Sequence, residues 1–442
     1  MKEINRPLKV VWICHFTSKE CTSRLTLDKP WYHKLYSFIQ GKTTQMNISD
    51  IAVWDANGIN EMAKIPEEVE LHVISPYPFL TTSLQEYSDG NIHYHFFRNE
   101  ELGLIYNLKH KLFGRVEDEY KHNRRIISKL IRKIKPEIVH VMGAENPHYS
   151  MATLDIPETI PVLVQLQTFL NDPDFSANYP IAKDVYAYKS SVELNVLRRA
   201  NYIGTVSIKF ISLLQDKLHY NIPIINTSLA FTENVFTGES EKLFDFVYWA
   251  SNINKAADLA IRAFINASRL KPGITLDIIG AYDVEYKKTL EAKLRENNLL
   301  EFVKFEGRLQ THDDVLNQIR KSRIALLPLK IDIISGTIRE AQANGLPVIT
   351  TDTGINGTQI LNKNIQTALI ADHDDYNMMA NYMIKLLEKP ELAQKLKDNA
   401  YKNSLKRSSN ASVVKHYIEC YHAILENFHK GEPIPDDMIA KQ

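Results

Sequence analysis

The stretch LKIDIISGTIREAQANGLPVITTDTG places two carboxylates on either side of a short turn. Asp332 and Glu340 stand eight positions apart, and the turn between them contains Ser335, Gly336 and Thr337. A helical pattern follows, so the amide groups of the turn would point outward at the positive end of a helix dipole. Glycine permits close backbone approach and the two hydroxyls add donors. This combination favours the binding of a diphosphate.

The two carboxylates would then have different partners. Glu340, one turn into the helix, is suited to accept hydrogen bonds from sugar hydroxyls just past the phosphates, and a ribose diol is the obvious partner. Asp332 precedes the turn and would lie on the other side, next to a transferred group. Taken alone, the stretch is explained equally well by Ser335 as a helix cap and two solvated surface charges.

Lys255 shifts that balance towards an anion site, because it opens the helix after the strand DFVYW. A charge-assisted hydrogen bond to phosphate contributes about 1.5–3 kcal/mol, whereas a lysine in a first turn without an anion opposes the helix dipole. Arg308, after the strand FVKFEG, would add a second charge at the same edge of the sheet, although such a residue alone is more often a surface arginine.

The elements that must position these residues alternate between strands and helices. In the C-terminal half, the strand candidates are DFVYW, ITLDII, FVKF, RIALLPL and LPVITT, separated by segments of helical period. In the N-terminal half, they are LKVVWIC, VELHVIS, EIVHVM, PVLVQL and YIGTVS, with longer segments between them. Such alternation predicts parallel sheets with right-handed crossovers, and ligands bind at the carboxyl ends of their strands.

The chain has 442 residues, more than one hydrophobic core usually supports. We predict an α/β protein with two Rossmann-like parallel-sheet domains, residues 1–228 and 229–405. Residues 406–442 form a helix and tail. The stripe Val413, Tyr417, Tyr421 and Leu425 must pack on another surface, which we expect to be the N-terminal domain.

Composition excludes several classes of function. Lys and Arg together number 53, as do Asp and Glu, so no overall field favours nucleic acid. The three cysteines have neither disulfide-framework nor zinc-site spacing, which is typical of a reducing compartment. The N-terminus lacks a signal-peptide pattern, and no window approaches the roughly 18 uninterrupted apolar residues of a membrane span. We therefore expect a cytoplasmic protein.

The order of VYWASNINKAADLAIRAF, ITLDIIG, FVKFEGRL, RIALLPL and DIISGTIREAQANGLPVITTDTG resembles the donor-binding domain of GT-B glycosyltransferases, in particular the retaining family 4. The resemblance implies that the two domains face a cleft, with residues 1–228 on the acceptor side and residues 229–405 binding a nucleotide-sugar donor. It also implies transfer of the sugar to an acceptor hydroxyl with retention. It assigns Glu340 to the ribose and Lys255 to the phosphates, and Asp332 stands where the family more often has Glu. No Asp-x-Asp motif is prominent, so we predict transfer without a metal or cofactor.

Two departures from the family pattern concern the site itself. The phosphate arginine that usually precedes the lysine is missing from YWASNIN, and Ser251 and Arg308 are the substitutes. On the acceptor side, Gln165 and Gln167 stand where many members have a histidine. Glu145, in the loop after IVHVM, is the preferred residue to orient or deprotonate an acceptor hydroxyl, although a solvated loop charge is an equally good interpretation.

Two histidines are weaker candidates. His140 alternates with valines inside a strand and is more often a core residue than a catalyst, and His15 ends the first strand. The basic helix at 119–135 has an apolar side for the sheet and a charged side that is either simply solvated or rests on an anionic bilayer.

The leading hypothesis is a hexosyltransferase acting on a carbohydrate or lipid-linked acceptor in bacterial surface-polysaccharide or glycoconjugate synthesis, in the cytoplasm or peripherally at the inner face of the membrane. The alternatives are a non-catalytic GT-B module that binds a carbohydrate or a partner, which the missing arginine favours, and a sugar-nucleotide epimerase, for which no distinctive acid or base is visible.

Overall fold

The computed structural model describes residues 6–28, 48, 50–99, 120–173, 182–218, 222–230, 236, 238–252, 256–330, 336–353, 358–407 and 409–440. The chain forms two compact units. Unit 1 contains Met1–Ala230 together with Asn410–Gln442, and unit 2 contains Phe231–Ser409. Each unit is built on its own sheet, as the two sets of strand candidates predict.

The sheet of unit 1 has the order β3-β4-β2-β1-β5-β6-β7-β8. Its strands are β1 (Leu8–Ile13), β2 (Val69–Tyr77), β3 (Leu84–Asp89), β4 (Ile92–Arg98), β5 (Ile138–Met142), β6 (Val162–Gln165), β7 (Tyr202–Gly204) and β8 (Ile224–Ile225). All five N-terminal strand predictions are confirmed by β1, β2, β5, β6 and β7. Neighbouring strands are parallel except β3, which pairs antiparallel with β4.

The hairpin β3–β4 is an addition that the sequence analysis does not predict. Its turn contains Gly90, whose φ of 57° lies in the left-handed region that glycine adopts without steric cost. Of the six β3 residues, three are exposed and three are half-buried. An edge strand without a buried face gives a weak hydrophobic signal, which explains why periodicity alone does not reveal it.

The described helices of unit 1 are α1 (Lys19–Arg24), α2 (Val53–Met62), α3 (Lys121–Ile134), α4 (Pro147–Ser150), α5 (Lys183–Arg199), α6 (Ile208–Leu218) and, from the C-terminus, α13 (Asn410–Lys430). A 3₁₀ segment spans Met151–Asp155. The helix α3 confirms the predicted amphipathic helix: four aliphatic side chains are buried, Ile127, Leu130, Ile131 and Ile134. Six basic residues are exposed on it or directly after it, Lys121, Arg125, Lys129, Arg132, Lys133 and Lys135.

The C-terminal helix α13 packs into the core of unit 1, as its apolar stripe predicts. Val413, Tyr417 and Tyr421 are at most 5% exposed. The hydroxyl of Tyr421 accepts a hydrogen bond from Trp12 Nε1 at 2.9 Å and lies 2.6 Å from Nδ1 of His140. His140 is completely buried, and burial lowers its pKa to about 3. His140 is thus a core histidine with a hydrogen-bond partner, which is the role that the sequence favours over catalysis.

The sheet of unit 2 has the order β11-β10-β9-β12-β13-β14, and the paired strands are parallel. Its strands are β9 (Phe244–Asn252), β10 (Leu276–Ala281), β11 (Val303–Gly307), β12 (Ser322–Leu326), β13 (Val348–Thr351) and β14 (Ala368–Ala371). The five predicted strands correspond to β9–β13. Their carboxyl ends meet at one edge of the sheet, where ligands of open parallel sheets bind.

The described helices of unit 2 are α7 (Ala257–Leu270), α8 (Val284–Glu296), α9 (His312–Ile319), α10 (Gly336–Ala343), α11 (Tyr376–Glu388) and α12 (Pro390–Arg407). Two local predictions are confirmed. Thr311 and Asp314 form a capping box at the start of α9. Gly345, with φ of 67°, follows the end of α10. Among the residues that the structure describes, no helix combines the length and apolarity needed to cross a membrane.

Candidate active-site residues in the two units

Glu340, predicted to bind a ribose, lies in α10 with its side chain held from two sides. Its Oε2 accepts a hydrogen bond from Nε1 of Trp249 at 3.0 Å, and its Oε1 lies 3.9 Å from Nε2 of His312. The Glu340 side chain is 17% exposed and the His312 side chain 16%. Because Trp249 belongs to β9 and His312 begins α9, the carboxylate is surrounded by three separate elements of unit 2.

These three elements meet at the carboxyl edge of the sheet. Trp249 lies three residues before the end of β9, α9 follows β11, and α10 follows β12. The parallel arrangement therefore brings Glu340 to the edge where the sequence analysis expects a ligand. Because a carboxylate accepts up to about four hydrogen bonds, Glu340 retains acceptor capacity beside the indole, enough for a pair of ligand hydroxyls.

The start of α10 carries two more predicted donor-site residues. Gly336 is the first residue of the helix and Thr337 the second, and both are half-buried. Arg308 comes directly after β11 and is exposed. The structure thus places Gly336, Thr337 and Glu340 on one short helix, and the Arg308 loop follows a strand of the same sheet.

Four of the predicted site residues cannot be placed in the same way. Lys255, Asp332 and Ser335 lie outside the described residues. Ser251 belongs to β9, but its side chain is outside the description as well. Their assignments to the phosphates and to the transferred sugar stay predictions from the sequence.

Sequence reasoning missed Trp249 and His312. Trp249 is 4% exposed, and a buried indole N–H near the end of a strand needs an acceptor, which is the signal that would have pointed to it. His312 directly follows the capping residue Thr311 in the loop-to-helix junction after Arg308. Both residues contact Glu340 only through the tertiary fold, so their role has no local motif.

A cation at the same edge was missed too. Lys330 follows β12, and its Nζ lies 2.9 Å from Oδ1 of Asp258 in the first turn of α7. Tyr286 donates a hydrogen bond to the same Asp258 oxygen at 3.3 Å. The Lys330 side chain is 35% exposed, so a solvent-accessible ammonium group stands next to the beginning of α7. In the sequence, the only local signal for this cation is the lysine of LPLKID itself.

In unit 1, Glu145 occupies the loop after β5, as predicted, but it is not a solvated loop charge. The residue is 8% exposed. Its Oε1 accepts a hydrogen bond from Nδ2 of Asn146 at 2.9 Å, while Oε2 is buried and has no hydrogen-bond partner among the described residues. Burial raises the pKa of Glu145 to about 7, and the Ala144 and Glu145 amides and the Lys189 charge only partly oppose it. Such a carboxyl is suited to proton transfer near neutral pH.

A second buried carboxyl, Asp55 of α2, stands near Glu145 and was not predicted. Asp55 is 1% exposed, and neither of its carboxylate oxygens has a hydrogen-bond partner within the described part of the chain. Burial raises its pKa well above the usual range, and the charge of Glu145 raises it further. A buried acid whose ionisation is disfavoured by a neighbouring carboxylate is characteristic of sites that handle protons.

The backbone around Glu145 is shaped to accept this carboxyl. Gly143 has φ of 96°, and a Cβ at this position would lie 2.7 Å from both Glu145 Oε2 and the Tyr149 hydroxyl. Tyr149 donates a hydrogen bond to the carbonyl of Met142 at 2.7 Å. The loop after β5 therefore requires glycine at position 143, both for its backbone conformation and for the space that Glu145 fills.

His15, the weaker acceptor-side candidate, contacts another histidine. Its Nδ1 lies 3.0 Å from Nε2 of His148, which belongs to α4. Burial lowers the pKa of His15 to about 4 and that of His148 well below its ordinary value. Both rings are therefore neutral at physiological pH, and their contact is a hydrogen bond between neutral imidazoles.

Comparison with known proteins finds a family match in the C-terminal half of the chain. Residues 237–403 match the sequence profile of the family described as Glycosyl transferases group 1. That segment contains Trp249, His312 and Glu340. No curated protein sequence matches the chain.

Solved structures match almost the whole chain. Sucrose-phosphate synthase from Thermosynechococcus elongatus is 13% identical, with a TM-score of 0.62, covering 94% of this chain and 98% of its own. An α,α-trehalose 6-phosphate synthase from Burkholderia multivorans is 11% identical, with a TM-score of 0.61 and coverages of 95% and 99%. An E. coli trehalose-6-phosphate structure bound with UDP-2-fluoro glucose is 10% identical, with a TM-score of 0.59 and coverages of 93% and 98%.

At such low identity, the structural matches establish the fold alone, and the sequence profile shows a match over residues 237–403. The chain therefore has the α/β fold of GT-B glycosyltransferases, and its residues 237–403 match the Glycosyl transferases group 1 family.

Proposed function

We propose that this protein transfers a hexose from a nucleotide-diphosphate sugar to an acceptor hydroxyl with retention of the anomeric configuration. The observation that carries the proposal is the position of Glu340: within a Glycosyl transferases group 1 segment, an oriented carboxylate stands in the helix that begins at the carboxyl edge of a parallel sheet. Retention rests on the resemblance to family 4.

The donor would bind in unit 2. Glu340 would accept hydrogen bonds from the ribose hydroxyls, while the amides at the start of α10 and the charge of Lys255 would stabilise the diphosphate. In the reaction, the bond between the anomeric carbon and the diphosphate oxygen breaks, and the acceptor oxygen forms the new bond. Negative charge accumulates on the leaving diphosphate, so its stabilisation is the main catalytic contribution. Asp332 would contact the transferred sugar.

On the acceptor side, Glu145 would take part in removing the hydroxyl proton. Its pKa of about 7 makes the carboxylate a base of useful strength at neutral pH, and its buried Oε2 lacks a hydrogen-bond partner in the described part of the chain. This assignment would also explain why the protein keeps an unpaired carboxyl oxygen in its interior, which otherwise costs stability.

The acceptor is proposed to be a carbohydrate or a lipid-linked carbohydrate, in bacterial surface-polysaccharide or glycoconjugate synthesis. The exposed basic residues of α3 support peripheral contact with an anionic membrane surface, at roughly 1 kcal/mol for each basic residue near the lipid. Arg124 of the same helix does not belong to this set, because its guanidinium donates two hydrogen bonds of 2.7 Å to the carboxylate of Asp155. The cytoplasm, or the inner face of its membrane, is the proposed place of action.

A non-catalytic GT-B module is the second candidate. The specific observation in its favour is that YWASNIN, at the end of β9, contains no arginine for the phosphates. Such a module would bind a carbohydrate or a partner protein without breaking the donor bond.

Turnover separates the two candidates. The full chain is incubated with UDP-, GDP- and ADP-linked hexoses, and ³¹P NMR follows release of the nucleoside diphosphate with and without saccharide acceptors. A transferase releases the diphosphate from one donor, and ¹H NMR shows the starting anomeric configuration in the product. Binding of a nucleotide sugar without any release supports the module, and the opposite anomer would overturn retention.

A further inference from the structure

A cluster of histidine and carboxylate side chains lies on one face of the unit 1 sheet, and none of its members belongs to the sites described above. Glu70 and His72 stand two residues apart on β2, and His93 and His95 do so on β4. Residues two apart on a strand share a face. His72 is the register partner of His93 across the parallel pair, so the imidazoles of neighbouring strands lie side by side.

Three of these side chains converge on one point. Oε1 of Glu70 lies 2.9 Å from Nε2 of His72 and 4.0 Å from Nε2 of His93. One ligand atom from each of the three residues falls within 4.8 Å of the others. Zn²⁺ bonds of about 2.0–2.2 Å in a tetrahedron place ligand atoms roughly 3.3–3.5 Å apart. Small adjustments of side-chain torsions would therefore form the site.

The hydrogen bonds of the cluster leave a place for a cation. Glu70, His72, His95 and Glu86 form a chain with contacts of 2.9, 3.1 and 2.7 Å. Two neutral imidazoles contribute two N–H groups, and an ionised carboxylate contributes none. Three short contacts thus share two protons. If His95 donates to Glu86 and His72 donates to His95, the lone pair of His72 Nε2 faces the carboxylate of Glu70, and either a proton or a metal ion between them would relieve this contact.

The environment of His93 favours a metal ion over an additional proton. Its Nδ1 lies 2.7 Å from Oγ of Ser88, while its Nε2 is directed towards Glu70 at a distance too long for a hydrogen bond. A proton between His72 and Glu70 would leave His93 unused, whereas a metal ion would use all three ligands. Bonds from the second ring nitrogens, to Ser88 and to His95, are the arrangement that orients metal-binding histidines.

We propose that Glu70, His72 and His93 bind a Zn²⁺ ion, with water as the fourth ligand, and so link β2 to β4. Imidazole nitrogens with one carboxylate are a ligand set that suits zinc. The ion would compete with Lys9, whose Nζ lies 3.0 Å from Oε1 of Glu70 on a side chain that is 27% exposed. Glu70 and His93 are 31% and 29% exposed at their side chains, which gives the ion access. The site would be structural and separate from donor chemistry.

The experiment uses the full chain without a polyhistidine tag, stripped of metal with a chelator. Zn²⁺ affinity is measured by competition with a chromophoric chelator for the parent, for His93→Gln and for Glu70→Gln. The control is His422→Gln, an exposed histidine of α13. Loss of one ligand is expected to weaken binding at least roughly 10- to 100-fold, whereas the control keeps the parent affinity. Equal affinity in the parent and in His93→Gln would overturn the site.

A second measurement holds even if a variant fails to fold. Co²⁺ added to the stripped parent is expected to give the intense visible absorption of a four-coordinate ion, which Zn²⁺ then abolishes. Only weak six-coordinate absorption, or none, overturns the proposal. The thermal unfolding midpoint of the parent should rise with Zn²⁺ and remain unchanged with Mg²⁺, because Mg²⁺ prefers oxygen ligands.

Discussion

Glu340 and Trp249 are joined by a hydrogen bond of 3.0 Å although 91 positions separate them in the chain. The indole N–H of Trp249 donates from near the carboxyl end of β9, an inner strand of the unit 2 sheet. The carboxylate of Glu340 accepts this bond in the first turns of α10. Trp249 is 4% exposed, so its ring is fixed by packing as well. The proposed ribose-binding carboxylate is therefore oriented before any ligand arrives, which reduces the entropic cost of binding.

Replacing Trp249 by phenylalanine tests this orientation. The substitution removes the N–H donor and keeps an aromatic ring. We expect the dissociation constant for the nucleoside diphosphate to rise roughly tenfold, because a hydrogen bond to a charged group contributes about 1.5–3 kcal/mol. Isothermal calorimetry measures the change, with Tyr382→Phe in α11 as the control. An unchanged affinity in a folded Trp249→Phe protein would show that the indole does not position Glu340.

Asp55→Asn is expected to stabilise unit 1 at alkaline pH. Because burial raises the pKa of Asp55 well above its unfolded value, the folded state retains a proton that the unfolded state releases. The parent is thus destabilised as pH rises above about 4, the unfolded pKa of aspartate, and the effect grows up to the folded pKa. Asparagine resembles the protonated acid and carries no such penalty.

Urea unfolding at pH 4 and pH 8 measures this difference. The variant should gain stability relative to the parent between the two pH values, while Asp216→Asn, at an exposed position of α6, should show no such gain. A variant that loses stability relative to the parent at pH 8 would mean that Asp55 is stabilised as an anion.

Glu145→Gln should change the pH dependence of transfer. The carboxyl, with a pKa of about 7, is mostly protonated below that value and becomes a base above it. The parent rate, as kcat/KM for the acceptor, should therefore rise with pH through about 7 and level off. Glutamine cannot titrate, so the variant should lose this rise and have a rate lower by roughly 10²- to 10⁴-fold. Retention of the same rise in the variant would assign it to another group.

Tyr421→Phe tests how α13 is attached to unit 1. The hydroxyl contacts both Trp12 Nε1 and His140 Nδ1, and its removal leaves two buried polar groups without this partner. Each such group costs about 1–3 kcal/mol, so the variant should lose roughly 2–6 kcal/mol of unfolding free energy. Urea unfolding measures the loss, with Tyr401→Phe in α12 as the control. A loss as small as the control's would show that packing alone holds the helix.

Much of the fold follows from local patterns in the sequence. The strands of unit 2 are short apolar runs between amphipathic helices, and Thr311 and Gly345 mark helix ends by their own chemistry. The β3–β4 hairpin escaped prediction because its first strand is exposed and lacks an apolar face. Local signals thus identify buried strands well and exposed edge strands poorly.

The candidate sites likewise contain residues that local signals predict and residues that only the tertiary fold reveals. The position of Glu340 at a helix start was predictable, because a turn motif precedes it within a few residues. Its contact with Trp249 was not, since that contact depends on the pairing of strands far apart in sequence. Asp55 is the clearest example of a residue that the sequence does not reveal. An acidic residue in a helix is usually a surface charge, and only tertiary packing leaves Asp55 1% exposed. Burial of charged residues runs against the general trend and so has no sequence signal.

The proposed donor site depends most directly on Glu340 binding the ribose of a nucleotide donor. Calorimetry with UDP, GDP and ADP on the full chain should find one nucleotide that binds. Its 2′,3′-dideoxy analogue should bind the parent at least roughly tenfold more weakly, because two hydrogen bonds to a charged group are lost. Glu340→Gln should bind both forms with nearly equal, weak affinity, whereas Glu388→Gln, at the exposed end of α11, should behave as the parent. Lys255→Ala should weaken both forms alike. If no nucleotide binds the parent, or if Glu340→Gln still discriminates between the ribose and dideoxyribose forms as the parent does, the claim is wrong.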